Sequence, residues 1–304
     1  MKRKRVLIAG ASGVVGRHVA KYFQRHDWDI CRLSHRPGPH PEGVYFWDPA
    51  QILATGPGHL PEHIQGCDCW INLAGASIAD GRLNIRHQDR IRDSRIQATQ
   101  ALLTLYESIS DRPRHWIQAS AVGIYGHHPE RVLDETMSPG DDILARICQE
   151  WESSFTKKIA LLSDQTQWMI ARIGLVLATD APIYQRLRLP TRWGLAGRLG
   201  SGRQWWSWIH ADDVSRIFYH FCHENWESGP YNITANEPVQ QYTLSQKIAK
   251  RLKRPCWAPT PAFILRWVLG QTADHLVLAS AQVTPQRLHD HGFQFKYPDI
   301  DTCL

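Results

Sequence analysis

The stretch that decides the fold runs Val6-Leu7-Ile8-Ala9-Gly10-Ala11-Ser12-Gly13-Val14-Val15-Gly16. Its apolar run, closed by a glycine, suits a short strand buried on both faces of a parallel sheet. Beyond the glycines, Val15, Val19, Tyr22 and Phe23 recur at helical spacing. A strand, a glycine-rich turn and a helix, in that order, give a GxxGxxG pattern the context it needs. Glycines there make the turn tight, let backbone approach a pyrophosphate, and let helix pack close to strand. The helix start adds free N–H groups and a positive dipole end. The stretch therefore points to dinucleotide binding through Gly10, Ser12, Gly13, Val14, Val15 and Gly16.

Outward from this turn the same alternation continues. Asp29-Ile30-Cys31-Arg32-Leu33-Ser34 reads as a second strand closed by Pro37-Gly38, and Cys69 to Gly75 as a third. A helix through Ile91, Ile96, Ala98, Leu102 and Leu105 follows, then strands at His115–Ser120 and Trp168–Ile173. This order predicts an α/β chain, a Rossmann-type doubly wound parallel sheet. Residues from about 180 to 205 show no clear period and are rich in Gly, Arg, Leu and Trp, which predicts an irregular segment covering a ligand. Helices are predicted around 243–253 and 261–269. No stretch reads as a linker. The expectation is a dinucleotide-binding domain over 1–178, to which a segment of about 205–235 returns. A smaller, interleaved C-terminal lobe is then built from 179–204 and 236–304.

The 304 residues carry a net charge of +6. That favours anionic ligands, but the longest run of basic residues, Lys2-Arg3-Lys4-Arg5, leads straight into an apolar strand. It reads as a solvated start, and no nucleic-acid partner is expected. The seven cysteines are odd in number and irregularly spaced, so a disulfide framework is excluded in favour of reduced thiols and a cytoplasmic setting. Cys67-Asp68-Cys69 stands alone, and no histidine spacing supports a metal site. The longest later apolar stretch, Ala262 to Gly270, is broken by Arg266 and cannot span a bilayer, so no membrane partner is expected.

The end of the second strand bears on which dinucleotide binds. About twenty residues past the turn, NAD sites carry Asp or Glu for the ribose hydroxyls. This chain has Ser34-His35-Arg36. A guanidinium can fork onto a 2′-phosphate and a serine can donate to it, so the preference expected is NADP(H).

Further marks are Asn72-Leu73-Ala74-Gly75, Ser120-Ala121-Val122-Gly123-Ile124-Tyr125-Gly126 and Trp208-Ile209-His210-Ala211-Asp212-Asp213-Val214. With them the chain resembles extended short-chain dehydrogenases/reductases, the NAD-dependent epimerase/dehydratase superfamily. Ile91-Arg92-Asp93-Ser94-Arg95-Ile96, Leu199-Gly200-Ser201-Gly202-Arg203-Gln204-Trp205 and the C-terminal Gly292-Phe293-Gln294-Phe295-Lys296-Tyr297-Pro298 narrow this to the atypical YfcH-like branch of epimerase family proteins. The resemblance implies cofactor contacts at Leu73, Ala74, Gly75, Arg95, Ser120 and Gly174, the last by letting backbone approach the nicotinamide ring. It implies substrate contacts at Arg203 and Trp205. It also implies hydride chemistry on a small or nucleotide-linked substrate, and the arginines and tryptophans of 198–208 suit an anionic one.

Active members of that superfamily use a serine with Tyr-x-x-x-Lys, the tyrosine as acid/base and the lysine to lower its pKa and hold the ribose. The matching helix here places Leu144 and Cys148 at those two positions. Three catalytic candidates remain. Ser120 matches the family serine or caps the following turn. Tyr125 is the nearest surviving phenol, or packs. Cys148 is a reactive thiol beside the cofactor, or a small buried residue. Two functions stay open: an oxidoreductase or epimerase-like enzyme, and a non-catalytic NADP(H)-binding sensor or interaction protein.

Overall fold

The structure is a computed structural model that describes residues 3–58, 64–78, 80–162 and 165–304. Lys2 of the basic start thus lies outside the described ones. Seven strands form the central sheet: β1 (Arg5–Ala9), β2 (Asp29–Ser34), β3 (Val44–Phe46), β4 (Cys69–Asn72), β5 (His115–Ala121), β7 (Gln167–Ile173) and β11 (Gly229–Ile233). Their order is β11-β7-β5-β4-β1-β2-β3, with every pairing parallel. The chain winds outward from β1 in one direction through β2 and β3. It then returns to add β4, β5, β7 and β11 on the other side. The switch point therefore lies between β1 and β4, where open parallel sheets leave a crevice at their carboxyl ends.

Alternation along each strand divides the core in two. Val6, Ile8, Ile71 and Ile117 face a layer built by α1 (Val14–Arg25) and α6 (Ala211–Phe221), through Val19, Phe23, Val214 and Phe218. Leu7, Ala9, Trp70 and Trp116 face α3 (Ile85–Ser108) and α4 (Ile143–Leu162), through Leu102, Tyr106 and Phe155, with α2 (Pro49–Thr55) packed on α3. Trp70, Tyr106, Trp116 and Phe155 form a chain of tilted and edge-on rings, with adjacent centroids 5.2–6.1 Å apart.

Short elements pair outside the central sheet. They include β6 (His128–Leu133), β8 (Leu175–Leu177), β9 (Trp205–Trp206), β10 (Trp208–His210), β12 (Val239–Gln240) and β13 (Ala281–Val283). The segment expected to be irregular holds a helix, α5 (Pro182–Arg192), opened by Pro182 and carrying Pro190 in its last turn. It packs on α7 (Gln241–Arg251), and α8 (Ala262–Leu269) follows.

The C-terminal tail closes the molecule. Leu288 and Phe293 belong to the core layer of α1 and α6. The amides of Lys296 and Tyr297 both donate to the fully buried Asp213 carboxylate at 2.9 Å, at the start of α6. Asp213 is therefore a structural anchor, as its place at a helix entry predicts.

Candidate active site

Two loops leave the switch point side by side. In the first, Gly10 has φ +82°, and a Cβ on it would stand 2.5 Å from the Leu73 carbonyl oxygen. A Cβ on Gly16 would stand 2.4 Å from the Gly10 carbonyl oxygen. These two glycines serve the turn and the packing. Gly13 is different: its Cβ would meet only the Gly10 oxygen, at 3.4 Å. The space beside it is open. Gly13 caps α1 with no side-chain hydrogen bond, and the first turn holds no acidic residue. The earliest helical bond is Arg17 N–H to the Gly13 carbonyl, at 2.9 Å. The amides of Val14, Val15 and Gly16 thus form the unfilled N-terminal end of the helix.

At the end of β2, Ser34 is half-buried while His35 and Arg36 are exposed. The Arg36 amide donates to Ser34 Oγ at 3.2 Å, which folds the loop back on the strand end. No carboxylate pairs with the Arg36 guanidinium among the described residues. Donors and a cation, rather than an acid, stand at the ribose end of the crevice.

The second loop runs Leu73-Ala74-Gly75-Ala76 from the end of β4. Buried Asn72 holds it: its Oδ1 accepts from Ala74 N–H at 3.1 Å, and its Nδ2 donates to Gln118 and Thr99. Arg95 crosses this loop from α3. It donates to the carbonyls of Ala76 (2.9 Å) and Ile91 (3.0 Å), and its guanidinium lies over the Trp151 ring at 5.1 Å. A Cβ on Gly75 would press on its side chain at 3.0 Å. Burial lowers the pKa of Arg95, and no carboxylate pairs with it among the described residues. Arg95 is half-buried here and bound to backbone carbonyls.

Ser120, at the end of β5, belongs to a buried polar network. Its hydroxyl donates to Glu152 Oε1 at 2.6 Å. Arg172 from β7 grips the same carboxylate through Nε (3.0 Å) and Nη2 (2.9 Å). It donates a third bond to the Tyr125 hydroxyl at 2.9 Å, and that hydroxyl donates to Asn232 Oδ1 at 2.8 Å. Burial alone would lower the pKa of Arg172, but the bond and charge of Glu152 outweigh it and raise the value. Tyr125 is fully buried and burial raises its pKa. Its hydroxyl is committed at both ends, so it packs and bridges rather than facing the crevice.

Cys148 is buried too, and burial pushes its thiol up to about 12. The sulfur is held as a neutral thiol in an apolar cluster with Ile124, Tyr125, Leu133 and Val283. Burial of this kind suits the small buried residue of the two readings and disfavours the thiolate that the other needs. Gly174 has a structural use of its own. A Cβ there would stand 2.6 Å from the Ser207 carbonyl oxygen, so the glycine serves a close approach of two protein segments. Glu152 and Arg172 were missed in the sequence. The signals were a charged residue inside the apolar strand Met169-Ile170-Ala171-Arg172-Ile173 and a carboxylate one turn past Cys148.

Arg203 and Trp205 part company. Arg203 lines an open cleft of about 430 Å³ with Arg198, Ser201, Tyr242, Trp257 and Pro259. No acidic residue lines it. Trp205 begins β9, donates its amide N–H to Ser280 Oγ at 3.0 Å, and does not line the cleft.

Next to the glycine turn, His18 on α1 bonds two carboxylates at once, Asp212 through Nδ1 and Asp180 through Nε2, each at 3.1 Å. Both ring nitrogens can donate only in the imidazolium form. The Asp212 bond raises the His18 pKa against the opposing effect of burial, and Asp180 adds to the rise.

Comparison with known proteins places this geometry. An epimerase family protein of Staphylococcus epidermidis is 35% identical over 99% of this chain and 98% of its own length. The chain belongs to the epimerase family. Residues 6–143 match the NAD dependent epimerase/dehydratase family, and residues 260–304 match a domain of unknown function, DUF1731. The chloroplastic SDR39U1 homolog of Arabidopsis thaliana, also an epimerase family protein, is 32% identical over 98% of this chain and 85% of its own. The crystal structure of human epimerase family protein SDR39U1 with NADPH superposes with a TM-score of 0.87 at 28% identity, covering 98% of this chain and 97% of that one. In this family frame the doubly wound sheet is the nucleotide-binding fold. Among the described residues no helix is long and apolar enough to cross a membrane.

Proposed function

We propose that this epimerase family chain binds NADP(H) across the switch point and uses it in oxidoreductase or epimerase-like chemistry on an anionic small molecule. One observation carries the cofactor: an open glycine turn at an uncapped helix start, with Ser34, His35 and Arg36 where an NAD site would hold a carboxylate. The human relative crystallised with NADPH supports it. The amides of Val14, Val15 and Gly16 take the pyrophosphate, and Arg36 with Ser34 takes the 2′-phosphate. Arg95 brings a half-buried cation to the Leu73–Gly75 loop, from α3, where the α4 lysine of active relatives is missing. A nicotinamide bound there supplies a hydride donor or acceptor. Ser120 reaches the reacting group with its lone pairs, since its only proton is committed to Glu152. The substrate's anionic end falls to the Arg198 and Arg203 cleft.

Titration of the purified protein with NADPH and NADH tests the cofactor reading. Tighter binding of NADPH is expected, and Arg36→Ala should cost it tenfold or more while leaving NADH nearly unchanged, about 1.4 kcal/mol or more of a charge-assisted bond. Equal binding of both cofactors by the unaltered protein overturns it. A second reading, a non-catalytic NADP(H)-binding protein, has its own support in the buried and committed state of Tyr125 and Cys148. Oxidation of bound NADPH by any member of a broad panel of anionic carbonyl compounds would remove it.

A further inference from the structure

The thirteen tryptophans divide sharply. Among the described residues three are exposed by more than two-thirds: Trp193 (77%), Trp257 (68%) and Trp267 (79%). All three lie in the C-terminal lobe, with Leu195 (57%), Phe263 (70%) and Val268 (50%). The backbone gathers them along one edge. Ala258 N–H donates to Ala196 O at 2.9 Å and Thr260 N–H to Arg198 O at 2.8 Å, so the two segments run as a ribbon. The helix α8 starts where that ribbon ends. Phe263 and Trp267, four residues apart, share its outer face, and Leu265 is its buried residue. Aromatic side chains of this size span roughly 150–250 Å² each, so the four rings alone expose more than a typical isolated surface hydrophobe needs explaining.

The charge along this edge has one sign. Residues 181–205 hold five arginines and no Asp or Glu; residues 238–273 hold six lysines and arginines and no Asp or Glu. Two of the latter are paired, Lys247 with Asp301 and Arg266 with Asp274. Arg192, Lys253 and Arg254 are exposed beside the aromatic side chains. Gly194 packs on Pro255, which brings Trp193 and Arg192 next to Arg254.

We propose that this edge docks on an anionic lipid bilayer. The exposed indoles and Phe263 enter the boundary between headgroups and acyl chains, and the cations face lipid phosphates. This departs from the expectation of no membrane partner, which rested on the lack of a spanning stretch; surface docking needs none. A second copy of the chain fits worse, because two edges with an excess of cations would face one another. Nucleic acid fits worse, because the aliphatic Leu195 and Val268 stand exposed among the rings, and acyl chains take up such side chains while stacked bases do not.

The test is co-sedimentation of the full chain with vesicles of phosphatidylcholine containing one-third phosphatidylglycerol, against pure phosphatidylcholine. Binding is expected to the anionic vesicles alone, with a blue shift of tryptophan emission and release by high salt. Each cation near such a surface is worth about fivefold in partitioning, so the Lys253→Ala/Arg254→Ala pair should weaken it about 25-fold. Trp193→Ser with Trp267→Ser should weaken it and remove most of the blue shift. These side chains are exposed, so melting temperature and NADPH affinity should not change, which confirms folding. No sedimentation at millimolar lipid overturns the proposal, as does binding that ignores both variant pairs. Self-association that buries the indoles, or capture by a single-stranded oligonucleotide in place of vesicles, overturns it too.

Discussion

Replacing Glu152 with glutamine isolates what the buried network does. The carboxylate is 11% exposed, and Arg172, at 9%, gives it two bonds while Ser120 gives a third. The amide removes the charge and leaves the guanidinium without a counterion. Breaking a buried pair from one side costs about 3–5 kcal/mol. The amide oxygen still accepts one bond, which returns about 1 kcal/mol. The expected loss is then about 2–4 kcal/mol, or a fall in melting temperature of roughly 4–8 °C for a chain of this size. Urea unfolding followed by tryptophan fluorescence measures it. Arg172→Met alone should cost a similar amount, because it strands Glu152 instead. The double replacement Glu152→Met/Arg172→Met should cost less than either single change, since neither charge is left buried alone. A loss below about 1 kcal/mol for Glu152→Gln, or a double variant worse than the sum of the singles, would refute the reasoning.

Other outcomes follow from the same contacts. Gly16→Ala would set a Cβ 2.4 Å from backbone oxygen that cannot move freely. It should destabilise the chain and reduce NADPH binding together, read by melting and by titration. His18 has a folded pKa above its unfolded value near 6.5, so its contribution is full below that pH and is lost as pH rises through the folded value. His18→Gln should therefore be less stable than the parent at pH 6, and the two melting temperatures should converge in alkali. Cys148 should resist alkylation in the native protein, with or without NADPH, and react on unfolding.

The first strand, the glycine turn and α1 were legible because three signals agree there: an apolar run, glycine spacing and a helical period. The buried strands β4, β5 and β7 were legible as largely apolar runs, and β2, where only Cys31 and Leu33 are buried, as an alternation. The helix α5 was not. Pro182 and Pro190 sit at its ends, and three arginines blur its apolar face. Strands β9, β10 and β12 have two or three residues, too few to show alternation. The shape of the candidate site was legible where it lies in backbone and local spacing, as in the open side of the Gly13 turn. It was not where long-range pairing decides. Tyr125 looks like a free phenol until Arg172 and Asn232, 47 and 107 residues away, close on it. Likewise Arg203 and Trp205, two positions apart, end in different surroundings.

The tail that anchors to Asp213 has a consequence for how the protein is made. The layer of α1 and α6 includes Leu288 and Phe293, and the start of α6 is tied to the amides of residues 296 and 297. A nascent chain that has emerged only to α7 lacks those partners. Its nucleotide-binding half therefore stays unsealed on one face until residues 288–297 leave the ribosome, at about 5–20 residues per second. Folding of the first half thus waits on a stretch translated more than 250 residues later than β1, and a premature stop near residue 285 would release an open sheet to the cell's chaperones rather than a working fragment.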